Sequence, residues 1–169
     1  MQKLSTRISL FVLIVSAVVW LGAVNVRAVI GNELLNFGTL EFKDHLDAGL
    51  EREVFRLISL TSVIVIAGYL ATFVSAVVFV RTTTLSLKRN GWLMMSALIF
   101  FIFSPVEFYT LVLDWKMITL DFFSNAAPTD FRVLFIHRLA ALAGMPIIAL
   151  LSYYTIVGLA IWQPLKKPE

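Results

Sequence analysis

The 169-residue sequence has no cysteine, only two histidines and few charges. Asp, Glu, Lys and Arg make up 15% of it, against about 25% in an ordinary soluble domain. Without cysteine there is no disulfide, no thiolate nucleophile and no cysteine-ligated zinc or iron–sulfur centre. A bis-histidine haem needs two inward-facing rings at matched depth, and His45 falls in a predicted loop, leaving His137 alone. No phosphate-binding glycine loop, His-Glu-x-x-His zinc motif or paired-aspartate metal motif occurs, and no serine stands in a recognisable nucleophile setting. The expectation is no cofactor and no metal, and the balance leans away from an enzyme.

Apolar residues fill the space that charge leaves. They make up 59% of the chain, and the mean hydropathy is +0.87. A core of this size cannot hide so much apolar surface, so the solvent of the folded chain is expected to be lipid. Four apolar segments stand out, at about 8–30, 57–80, 92–113 and 132–162, each long enough to cross a hydrocarbon layer of roughly 30 Å as a helix. The fourth has its apolar core from Leu139 and its helix start near Asp130. Helix is required because lipid cannot satisfy unpaired backbone groups. The fold expectation is one all-α domain over 1–169, an integral membrane four-helix bundle with two longer outer connections that contain short amphipathic or interfacial segments.

Charge sets the expected orientation. Lys3 and Arg7 precede the first span, Arg81, Lys88 and Arg89 join the second to the third, and Lys166 and Lys167 follow the fourth, with Glu169 the one acid among them. Glu33, Glu41, Asp44, Asp47, Glu51, Glu53, Asp114, Asp121 and Asp130 occupy the other two connections. The basic side is expected to be cytoplasmic, with both termini there, and the membrane a bacterial plasma (inner) membrane. The net charge of +3 is explained by this topology, so no nucleic-acid partner is expected. The first span reads as an uncleaved signal anchor.

The connections carry local signals. In the first, "LLNFGTLEF" alternates around a glycine and predicts a short hairpin, and "DHLDAGLEREVF" predicts a helix capped by Asp44 or Asp47 that lies on the surface or runs into the second span. In the second, "DWKMITLDFFSNAAPTDFR" is too apolar for free water and predicts a segment resting in the interface, with Trp115 in the aromatic belt and Thr129 capping the fourth helix.

Small residues predict packing. Gly68, Thr72 and Ala76 in the second span, and Ala140 and Gly144 in the fourth, are spaced to let helix backbones approach. Pro105 and Pro146 predict kinks or loosened turns. Glu107, two residues after Pro105, lies about 22 Å along the helix from Trp92, short of the outer boundary and too deep to reach water comfortably. It is expected to meet a cation or hold a proton, with Arg27, His137 and Arg138 at the same level and Asp114 seven residues on along its own helix face. Arg56, opening the second span, is a further basic candidate.

Three functions fit. The first is a non-catalytic subunit or scaffold packing within a larger membrane-protein complex, its partners being lipids and other integral membrane proteins or copies of itself. The second is a small oligomeric transporter or proton-coupled carrier using the outer Glu/His/Arg cluster. The third is an intramembrane lipid-modifying enzyme.

Overall fold

A computed structural model describes residues 4–124 and 128–166. Lys3, Lys167, Glu169 and part of the "SNAAPTDF" break lie outside the described residues. The described chain is all-helical: α1 (Leu4–Asn32), α2 (Ala48–Thr82), α3 (Gly91–Phe123), α4 (Pro128–Leu139), a 3-10 turn (Ala141–Gly144) and α5 (Met145–Trp162). Four stretches are long and apolar enough to cross a membrane, the last of them running from Pro128 to Trp162.

α1 packs along α2, α2 against α3, and α3 against α4 and α5, whereas α1 and α5 scarcely touch. The bundle is therefore open along the seam between its first and last helices. Thr6 Oγ1 donates to the Thr82 carbonyl (2.9 Å), and the Gly91 N–H donates to the carbonyl of Leu165 (3.3 Å). These contacts gather both ends of the described chain and the short α2–α3 connection at one end of the bundle, here the terminal end. The opposite, loop end carries the long α1–α2 connection, 33–47, and the link between α3 and α4, which at 124–127 is shorter than expected from the sequence.

α1 and α2 approach closely at Gly68. A Cβ there would lie 3.0 Å from Trp20 Cβ and 3.1 Å from its Cα. One turn on, Thr72 Oγ1 sits 3.0 Å from Ser16 Oγ and 2.8 Å from the Gly68 carbonyl, and Ala76 is buried. Within lipid no hydrophobic drive holds helices together, so contact of this kind and interhelical hydrogen bonds must. Gly68→Val is expected to cost about 1–3 kcal/mol, because the obstacle is backbone and cannot move aside. Thermal denaturation in detergent measures the loss.

Ala140 and Gly144 do not form a packing face. Ala140 is exposed and a Cβ on Gly144 would meet nothing within 4 Å. They flank a break in the fourth span, where Leu142 and Ala143 have φ of 52° and Gly144 has φ of 85°. The expected continuous helix over 132–162 is thus two helices, and the direction change precedes Pro146, which sits in the first turn of α5 where its missing N–H leaves no bond unmade. α3, by contrast, runs on through Pro105, and Ser104 Oγ donates to the Phe100 carbonyl (2.9 Å) beside it.

The loop end differs most from the expectation. α3 continues ten residues past 113, so "DWKMITLDFF" is helix and not a membrane-resting loop. Part of its apolar surface is covered by protein: Met117 and Ile118 are buried, and Met117 joins a cluster with Leu34, Leu35, Val54, Phe55, Ile58, Phe131 and Phe135. Trp115, Phe122 and Phe123 keep the expected outward position and are exposed. α2 also overruns the span, starting at Ala48 behind the cap Asp47, whose carboxylate accepts the N–H groups of Gly49 and Leu50. α4 starts at Pro128, so Thr129 lies inside it and is not its cap.

In "LLNFGTLEF", Leu35 and Phe42 pair antiparallel around Gly38, whose φ is 78°. α3, with 33 residues, is about 50 Å long, and a hydrocarbon layer takes about 30 Å of that. The remainder, with the start of α2, the hairpin and α4, forms a small folded cap. Arg132 clamps it, donating through Nε and Nη2 to the two carboxylate oxygens of Glu51 (Nη2–Oε2 2.7 Å), with its guanidinium 5.0 Å from the Phe42 ring centre. Arg52 adds a charge contact to Asp121 (Nη2–Oδ1 3.0 Å).

Candidate functional site

The centre of interest lies where the cap meets the spans. Asp114 is fully buried on α3 and takes two arginines: Arg27 Nη1 donates to Oδ2 (2.6 Å) from the last turns of α1, and Arg138 Nε donates to Oδ1 (3.0 Å) from the last turn of α4. Arg27, 6% exposed, also donates to Ser62 Oγ on α2 (3.1 Å). Ser62 in turn donates to the carbonyl of Ile58 (2.8 Å), so every group in the chain of contacts has a partner. One carboxylate and two guanidiniums thereby tie all three long helices to α4. Arginine suits the role because it cannot shed its charge and its planar fork can serve two acceptors at once.

Glu107 lies two turns deeper on the same face of α3. It is 8% exposed, and among the described residues its carboxylate has no ion pair and one side-chain hydrogen-bond contact, Thr110 Oγ1 at 3.5 Å on its own helix. It lines a cavity of about 210 Å³ between α1, α3 and the α4–α5 break, together with Arg27 and Arg138. The structure therefore brings Arg27, Asp114, Arg138 and Glu107 together, with Asp114 taking the arginines. His137 stands apart: it is exposed and faces Tyr109, whose hydroxyl is 3.4 Å from Nε2. Arg56 is exposed and in no ion pair among the described residues.

Apart from Asn32, the rest of the cavity wall is apolar, including Val24, Ala28, Ile147 and Leu150. Trp20, 2% exposed, closes its deep side. The indole packs edge-on against Tyr69 and Tyr153, both at 4.9 Å, and its Nε1–H has no partner among the described residues. Beyond Trp20 lies a second, almost wholly apolar cavity of about 360 Å³, running between α1 and α5 toward the terminal end. Asn25 Nδ2 donates to the Tyr154 hydroxyl across the seam, near the level where the two cavities meet.

No protein-family description, curated protein or solved structure matches this chain. Chemistry must then be read from the site itself. Among the described residues no three of His, Asp and Glu converge as metal ligands. What converges is a charge-balanced polar end, two guanidiniums against two carboxyls, joined to an apolar channel.

Ser62, Glu51 and Arg132 were not legible as site or clamp residues. Ser62 is one of several hydroxyls in an apolar span, and Glu51 meets Arg132 across 81 positions of sequence. The remaining clue was the coincidence of an inward-facing acid on α2 with an arginine in the first turns of α4.

Proposed function

We propose that this integral membrane protein is a non-catalytic subunit or scaffold that packs against other membrane proteins. The observation that carries the reading is on α5. Its outward side bears an open groove of about 450 Å³ where Thr155 and Gly158 lie between Tyr154 and Trp162. Tyr154 is 42% and Trp162 80% exposed. This exposed face, with the Trp162 ring lying against Gly158 (3.0 Å from where a Cβ would stand), offers another helix an aromatic surface to pack on where lipid removes the hydrophobic drive. The distribution of burial agrees: in the most apolar stretch of α2 and of α3, 39% of residues are buried, against 17% in the fourth span and 11% in α1. The two outer spans thus keep free faces for a partner. The proposed setting is a bacterial inner membrane, with the terminal end, carrying Arg7, Arg81, Lys88, Arg89 and Lys166, in the cytoplasm.

The test is a photo-reactive residue in place of Leu151 or Trp162, followed by purification in mild detergent and mass spectrometry. The expected result is an adduct with one unrelated membrane chain in fixed stoichiometry, lost in Gly158→Leu. Adducts with copies of this chain alone would favour the second reading, a small oligomeric carrier, for which the cavity-lining Glu107 speaks. Adducts with lipid alone would overturn the subunit reading.

A further inference from the structure

The cavity between α1 and α5 has a composition that selects one kind of occupant. Arg27 and Arg138 each spend part of the guanidinium on Asp114, and their remaining nitrogens make no hydrogen bond among the described residues beyond Arg27 to Ser62. Glu107 faces the same space with an unpaired carboxyl, more than nine-tenths buried. A purely anionic ligand would meet the free guanidinium edges but place its charge beside Glu107. A purely cationic one would meet Glu107 but lie beside two arginines. A ligand with an anion and an ammonium a few ångströms apart satisfies both.

The apolar wall, and the second cavity beyond Trp20, require that this zwitterion carry a hydrocarbon chain. The seam gives such a molecule a sideways entry from the bilayer on the loop-end side of the Asn25–Tyr154 hydrogen bond and the Trp20–Tyr153 packing, where α1 and α5 otherwise scarcely touch. A water-soluble zwitterion would leave the long apolar cavity unused.

We infer that the cleft between α1 and α5 is a binding site for a phospholipid with a primary-amine headgroup, of the phosphatidylethanolamine type. The phosphate accepts from Arg27 and Arg138, and the ammonium donates to Glu107. One acyl chain follows the apolar wall formed by Val24, Ala28, Ile147 and Leu150. The site shares no lining residue with the partner groove, although Tyr154 of that groove reaches Asn25 across the seam.

The test is lipid retention by the full chain. Protein purified in mild detergent is incubated with equimolar phosphatidylethanolamine and phosphatidylglycerol, and bound lipid is counted by native mass spectrometry. The expected result is a single bound lipid, with the amine headgroup preferred about tenfold, the discrimination one charged hydrogen bond supplies. Glu107→Gln is expected to erase that preference while phospholipid still binds. Ala28→Trp, which fills the mouth without touching a charge, is expected to abolish retention with thermal stability unchanged. Equal retention of the two lipids by the wild type, a preference unchanged in Glu107→Gln, or full retention by Ala28→Trp would each overturn the inference.

Discussion

Asp114→Asn is expected to lower the stability of the folded chain by about 3–5 kcal/mol, while Glu107→Gln changes it by less than about 1 kcal/mol. The two acids lie on one face of α3, both are nearly inaccessible, and both substitutions are isosteric. The difference comes from what each acid holds. Asp114 balances Arg27 and Arg138, which are 6% and 15% exposed and cannot neutralise themselves by losing a proton. Asparagine can still accept one hydrogen bond, but it leaves two positive charges facing each other where water does not reach. The guanidiniums must then separate, and with them α1, α3 and α4. Glu107 holds no cation, so the amide loses only a weak contact with Thr110. Unfolding in mixed micelles, followed by circular dichroism, measures both variants.

The second large effect is expected at the cap. Phe55 is 1% exposed and stacks on Phe131 with ring centres 4.2 Å apart. Outside the lipid the hydrophobic effect operates fully, so truncating this ring costs its transfer free energy and leaves a cavity. Phe55→Ala is expected to cost about 3–5 kcal/mol. The loss is local, because the four spans are held by other contacts. Amide exchange should rise in the first connection, the start of α2, the last turns of α3 and α4, with the centres of the spans still protected. Uniform loosening of the spans would mean the cap is not a separate cluster.

Much of the fold was legible because lipid enforces simple rules. A run such as Leu57–Val80, without a charge, has no other place to go, and the four crossings follow. The Asp47 cap and the turn at Gly38 were legible because each is decided within a few residues. The cap was not. An apolar stretch like "MITLDFF" is equally content under lipid or under protein, and the residues that cover Met117 come from Leu34, Phe55 and Phe131, far away in sequence.

Gly144 was ambiguous in the same way. A glycine serves a close helix crossing or a left-handed turn, and only the backbone distinguishes them. At the site, the sequence brought Glu107, Asp114, Arg27 and Arg138 to one end of the bundle. Which acid takes the arginines depends on the relative height of α1 and α4 against α3, a sum of tilts that no local pattern records.

The central claim is that Arg27, Asp114 and Arg138 act as one ionic unit joining the helices. The triple variant Arg27→Met, Asp114→Leu, Arg138→Met tests it directly, through its unfolding free energy beside that of Asp114→Leu alone. Replacing a whole buried ionic group by apolar residues removes the desolvation cost along with the attraction. The account predicts a triple variant within about 1 kcal/mol of the wild type, with the single variant far below it. A triple variant as unstable as Asp114→Leu, or as the sum of the three separate losses, would contradict it.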